Sequence, residues 1–209
     1  MSCCGLNDVF TDKVSRRDAE RYRKHGLPKR ARRLLTSIER ALPLPDRRTL
    51  EIGVGAGAFT IELLRHGAAH AVGVDAVAAQ LAAARTLAAE SGVADRAEFV
   101  LGDFTQIGAQ SNADIVVLDR VVCCYPDWQT LLTAAAARAD MLIAMTYPRD
   151  RWPLHTFAVS ANLWLRLTRS DFRFHVHPVA AMHALLRARG FTPNVTGHFF
   201  GWELLIATR

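Results

Sequence analysis

From residue 48 onward, short uninterrupted apolar runs alternate with longer segments of helix-forming residues. Leu50 and Ile52 mark a first run over 48–53, and a helical pattern follows over 58–66. The next run, 70–75, precedes an alanine-rich segment from 77 to 91 that stops at Gly92, a residue suited to ending a helix. Residues 97–101, 114–119 and 141–145 supply three more runs, with a helical pattern over 128–139 before the last. Runs apolar along their whole length are buried on both faces, so this alternation predicts a parallel sheet with helices on both sides.

The rhythm changes after Tyr147-Pro148. Residues 152–167 are rich in Trp, Phe, Leu and Val and predict an aromatic helix that lies over something. His175 and His177 alternate on an extended stretch, a helix follows over 179–189, and two tightly joined strands near 192–198 and 199–208 close the chain. Upstream, 6–41 reads as a helical arm broken at Gly26-Leu27-Pro28. Leu34, Leu35, Ile38 and Leu42 form a stripe able to dock on the body, whereas the stretch holding Val9, Phe10, Val14 and Tyr22 is less regular and reads as mobile. The expected division is an arm over 1–45 and a main domain over 46–209, with 152–178 as a covering insertion.

Charge is unevenly placed. Residues 1–40 hold eleven Lys/Arg against five acids, which accounts for the whole net charge of +6. A basic arm on a neutral body suits an anionic partner, and equally a solvated helix face. No apolar run reaches membrane-spanning length, and the N-terminus lacks the charged-then-apolar order of a secretory signal, so a cytoplasmic protein is expected. Four cysteines occur as two adjacent pairs, Cys3-Cys4 and Cys123-Cys124. Neither pair has the spacing of a structural zinc site, and no His pair has the spacing that would mark a metal centre.

The first run ends in Glu51-Ile52-Gly53-Val54-Gly55-Ala56-Gly57. Glycines at alternate positions between a strand and a helix permit a tight turn and close approach of backbone to a ligand. Gly53, Gly55 and Ala58 also satisfy a dinucleotide fingerprint, which keeps an NAD enzyme as an alternative. Further acids stand at strand ends: Asp75, Asp103 and Asp119. An acid followed by G-x-G-x-G, with acidic strand ends in phase, resembles class I S-adenosylmethionine-dependent methyltransferases. The resemblance implies an α/β, Rossmann-like three-layer sandwich: a seven-stranded, mostly parallel sheet whose last strand is antiparallel. It implies S-adenosylmethionine as cofactor, with Glu51, Gly53, Gly55, Gly57, Asp75, Ala76, Gly102, Asp103, Phe104 and Asp119 around it. Asp75 would receive the ribose hydroxyls, Asp103 the adenine amine beside Phe104, and Asp119 would face the methyl donor.

Around the acceptor the chain lacks the N/D-P-P-Y/F/W tetrad of methyltransferases acting on nucleic-acid amino groups, which argues against nucleic acid as substrate. Tyr125-Pro126, Tyr147-Pro148-Arg149, the aromatic helix and His177-Pro178 are similar to magnesium-protoporphyrin O-methyltransferases. That likeness implies a small, anionic, carboxylate-bearing acceptor oriented by Arg120 or Arg149, with Arg120 and Tyr125 as catalytic candidates; a hydroxyl acceptor is the other option, with His155 as its candidate base. Cys123, Cys124, Tyr147, Trp152 and His177 would contact the substrate. Two alternatives remain: a nucleic-acid methyltransferase using the basic arm, and a thiol or metalloid methyltransferase using the cysteine pairs.

Overall fold

A computed structural model describes residues 5–107 and 111–209; Cys3 and Cys4 lie outside the described residues. The arm comprises α1 (Leu6–Val9), α2 (Asp12–His25) and α3 (Lys29–Ala41). The body follows as β1 (Arg48–Ile52), α4 (Ala58–Arg65), β2 (His70–Asp75), α5 (Ala78–Glu90), β3 (Ala97–Leu101) and β4 (Ala113–Asp119). Next come α6 (Trp128–Arg138), β5 (Ala139–Pro148), α7 (Trp152–Leu167), α8 (Val179–Ala188), β6 (Thr192–Phe199) and β7 (Trp202–Thr208).

The seven strands form one sheet in the order β3-β2-β1-β4-β5-β7-β6. Strands β1 to β5 pair in parallel, and β7 enters antiparallel between β5 and β6. The strand order reverses beside β1 and β4, so their carboxyl ends open a crevice there. The expected fold class, with its antiparallel last strand, is the one observed.

Side-chain alternation builds a core on each face of the sheet. Ile115, Val117, Leu142, Ala144, Leu204 and Ile206 point to one face, under α3, α4 and α5. Val116, Leu118, Ile143, Met145, Leu205 and Ala207 point to the other, under α6 and α8. Removing such side chains from water is the main favourable contribution, worth about 1.5–3 kcal/mol for each large one fully buried.

The arm belongs to the first of these layers. Leu34, Leu35 and Ile38 of α3 are buried in it. The less regular stretch upstream is also tied down. Tyr22 of α2 is buried, and its hydroxyl donates to Glu62 of α4 at 2.5 Å while accepting from Arg65 at 3.0 Å. Arg23 spans both oxygens of Glu90 on α5 at 2.7 and 3.0 Å. The helix break falls where expected, with Gly26 at φ 64° and Pro28 preceding α3.

Most boundaries lie within a residue of the sequence reading, and two strands depart further. Strand β5 runs from Ala139 to Pro148, longer at both ends than 141–145, because β4 and β7 continue to pair with it. Strand β7 starts at Trp202, since Phe199 pairs with Trp202 and Phe200-Gly201 make the turn.

Candidate active site

The loop after β1 sets the site. The N–H groups of Gly53 and Val54 both donate to the Val74 carbonyl, at 2.8 and 3.0 Å, which binds the loop to the end of β2. A Cβ on Gly53 would stand 2.5 Å from Val121, so that glycine lets the β1 and β4 loops touch. A Cβ on Gly57 would stand 2.8 Å from the Cβ of Ala84, so that glycine lets α4 and α5 close together. Gly55 differs: at φ 55° a Cβ there would face open space among the described residues, with Gln80 Oε1 its nearest neighbour at 3.9 Å.

Asp75 ends β2 beside this loop. Its Oδ2 accepts from the N–H of Gly55 at 2.8 Å and its Oδ1 from the N–H of Val77 at 2.9 Å. Burial pushes its pKa up, and the N–H groups of Gly55, Val77 and Ala76 pull it back down. Each carboxylate oxygen keeps a lone pair for a further donor. Nearby, Gln80 Oε1 is buried without a hydrogen-bond partner among the described residues, a costly state that a ligand donor would relieve.

Gly53, Gly55, Asp75 and Gln80 line a cleft, together with Ala76, Gly102, Phe104, Asp119, Arg120, Cys124 and Tyr125. Leu6, Phe10 and Asp18 of the arm complete its wall. Asp103 stands between Gly102 and Phe104 and turns its Oδ1 to Thr105 and to the Tyr125 hydroxyl, the latter at 3.0 Å.

A second, wider cleft adjoins the first and shares Gly53, Gly55, Asp119 and Arg120 with it. Its lining is basic, with Arg21, His25, Lys29, Arg30 and Arg32 from the arm. Among its acids, Glu51 is almost wholly enclosed and receives the Thr60 hydroxyl at 2.5 Å. Desolvation pushes Glu51 up to about 8, against the milder opposing pull of Thr60, so it is largely neutral at pH 7.

Asp119, at the end of β4, is held by the arm. Its Oδ1 accepts from the guanidinium of Arg30 and, at 2.6 Å, from the hydroxyl of Thr146. Arg30 also donates to that hydroxyl at 3.1 Å. Burial lowers Arg30 to about 9, helped by the neighbouring Arg120, which still leaves it charged at neutral pH. Arg120 itself adopts φ 62°, its N–H donates to Thr146 at 3.0 Å, and its exposed side chain borders both clefts.

The remaining candidates are scattered. Cys124 lines the first cleft, whereas Cys123 is buried behind it with its sulfur 3.9 Å away. The contact between the two sulfurs lowers the Cys124 thiol and, together with burial, raises that of Cys123, so Cys124 is the more acidic of the two. His177 is buried, and its Nε2–H donates to the carbonyls of Tyr125 and Val122 at 2.9 and 3.1 Å. It thereby pins the Val122–Cys124 turn from below, and burial keeps its pKa low. Tyr147 is enclosed, with its hydroxyl on His183 at 2.8 Å. Trp152 is 79% exposed and His155 pairs with Asp150 at 2.7 Å, both outside the two clefts. Among the described residues no group of three or more potential metal ligands is present.

Arg30 and Gln80 were not singled out from sequence, although each left a signal. Arg30 falls in register with Leu34 and Ile38, a charge on an apolar stripe. Gln80 is the one polar side chain in the first turns of an Ala/Leu-rich helix.

This sheet order, with a glycine loop and an acid at the first two strand ends, is the fold of class I S-adenosylmethionine-dependent methyltransferases. Residues 49–139 match the family described as "Methyltransferase domain". A ribosomal protein L11 methyltransferase of Haemophilus influenzae is 37% identical over 76 residues, 36% of this chain. The chain spans about a quarter of the length of the curated relatives it matches. Among solved structures, magnesium protoporphyrin IX methyltransferase from Synechocystis PCC 6803, with bound S-adenosylhomocysteine, superposes with a TM-score of 0.70 at 18% identity. That likeness covers 97% of this chain and 99% of the other. An O-methyltransferase family protein from Burkholderia thailandensis gives 0.70 at 16% identity, covering 96% of this chain and 61% of that one.

Proposed function

We propose that this chain transfers the methyl group of S-adenosylmethionine to a small anionic acceptor. One observation carries the cofactor half of the reading. Asp75 has both oxygens fixed by backbone N–H groups beside the open face of Gly55, with the orphaned Gln80 Oε1 across from it. The residues present therefore fit the group. Asp75 would take the ribose hydroxyls, Gln80 would accept another ligand hydrogen, and Phe104 would flank the base. When bound, S-adenosylmethionine supplies a methyl group on a positively charged sulfur.

The chain's own residues then have little chemistry to perform beyond alignment, because holding two reactants in line removes most of the entropic barrier. Asp119 is neutralised by Arg30, so it presents no free carboxylate to compete for the donor. Arg120 borders both clefts and suits an acceptor carboxylate, which it can grip with two parallel N–H groups. An acceptor carboxylate is already ionised and needs no base. The basic lining of the second cleft supports an anionic substrate. The metalloid alternative finds less support, since Cys123 is turned away from the cleft.

The test is the mass of the product formed with S-adenosylmethionine and a panel of carboxylates, tetrapyrrole propionates included, beside RNA. A carboxylate gaining one methyl group is expected, and Arg120→Ala should raise its KM more than it alters cofactor affinity. Methylation of RNA alone, weakening steeply with salt, would overturn the proposed acceptor class.

A further inference from the structure

Helix α7 leaves its outer face bare. Within its 16 residues only Ala158 is buried, while Trp152 is 79%, Val159 69%, Leu163 58% and Leu167 74% exposed. Their spacing of seven, four and four puts them on one stripe, and Trp164, 64% exposed, widens it. The turn carrying Phe200 adjoins the start of the helix, since Leu154 packs against Gly201 and the N–H of Arg149 donates to the Gly201 carbonyl at 2.9 Å. Phe200 is itself 88% exposed. The rest of α7 is anchored: Asn162 binds both the N–H and the carbonyl of Phe174 at 2.8 Å, and Phe157, itself 59% exposed beside Trp164, sets its ring edge-to-face on Phe174. This is a fixed apolar face rather than a loose segment.

The charge around that face is one-sided. No acid occurs from residue 151 to 170, and the exposed Arg151, Arg166 and Arg169 flank the stripe. Of the acids at its ends, Asp150 pairs with His155, Glu203 pairs with Arg149, and Asp8 accepts from the Ser170 hydroxyl and the Asp171 N–H, which leaves the exposed Asp171 carboxylate to face the more numerous arginines. Tryptophans on an apolar helix face rimmed by arginine suit the boundary between acyl chains and anionic headgroups. A second copy docked about a two-fold axis would instead bring two arginine rims together, a repulsive arrangement. No helix among the described residues is long and apolar enough to cross a membrane, so α7 would lie on a bilayer and not through it.

We infer that α7 and the Phe200 turn form a docking surface for an anionic lipid bilayer. The experiment is sedimentation of the full chain with phosphatidylcholine vesicles, with and without phosphatidylglycerol, at low and high salt. Binding to the anionic vesicles alone, weakened by salt, is expected. Replacing Trp152, Leu163 and Trp164 together by Ser should reduce it at least ~10-fold, since each buried aromatic or aliphatic side chain contributes strongly. Arg166→Gln and Arg169→Gln should each weaken it by about fivefold, the equivalent of roughly one surface charge. Brominated lipid should quench wild-type tryptophan emission, a readout that needs no variant. No binding to either vesicle, or binding that the α7 replacements leave intact, overturns the inference. So does a concentration-dependent dimer abolished by the same replacements, which would make a second copy the occupant.

Discussion

Replacing Arg30 by Met is a severe test of how the arm is joined to the sheet. The guanidinium and the Asp119 carboxylate are only 9% and 13% exposed, so solvent screens the pair little. Methionine would fill the arginine stem but leave Asp119 with Thr146 as its remaining side-chain partner among the described residues, in a poorly hydrated site. Removing one member of a buried ion pair costs about 3–5 kcal/mol, because the other charge stays behind uncompensated. Against a typical domain stability of about 5–15 kcal/mol, that is a large share. The double variant Arg30→Met with Asp119→Leu removes both charges and should recover most of the loss. Urea unfolding followed by circular dichroism reads all three proteins, with the slope as a check that the same surface unfolds. If Arg30→Met costs under about 1 kcal/mol, the value of a solvated surface pair, the joint proposed here does not hold the arm.

Three further outcomes follow from the geometry. Glu51 keeps its proton in the folded chain up to about pH 8 but loses it near its ordinary value when unfolded, so stability should fall as pH rises between those values. Glu51→Gln should flatten that decline by up to about 4 kcal/mol, read from melting temperatures at pH 5 and pH 8.5; an identical slope would mean the carboxyl is not enclosed as described. Gly57→Ala would set a methyl 2.8 Å from Ala84 at φ 83°. A cost of about 2–4 kcal/mol in urea unfolding is expected from the overpacking and the left-handed backbone, and a neutral result would contradict the α4–α5 contact. Alkylation mapped by peptide mass should reach Cys124 before Cys123, and S-adenosylhomocysteine should slow it; equal rates at the two thiols would count against the cleft as drawn.

The body of the fold was readable because its strands are apolar from end to end and its helices are periodic. Leu50, Ile52 and the Ile115–Leu118 run announce burial on two faces, which only a covered parallel sheet provides. The glycine loop was readable too, since Gly53, Gly55 and Gly57 sit between a strand and a helix. Legibility failed where partners are distant. Nothing local says that Arg30 meets Asp119, 89 positions away, or that Tyr147 spends its hydroxyl on His183. Trp152 and its neighbours read as a covering helix, and the structure turns their stripe outward. Composition reports that a segment is apolar, but not which of its sides meets the body.

The central claim is that Asp75 and the glycine loop grip the nucleoside of S-adenosylmethionine. Calorimetry with S-adenosylhomocysteine, and with NAD as the rival ligand, tests it on wild type, Asp75→Asn and Asp75→Ala. Two hydrogen bonds to a charged group contribute about 3 kcal/mol or more, so Asp75→Ala should lose at least roughly a hundredfold in affinity, with Asp75→Asn between. Unchanged affinity in a folded Asp75→Ala protein, or binding of NAD in place of S-adenosylhomocysteine, would contradict the account.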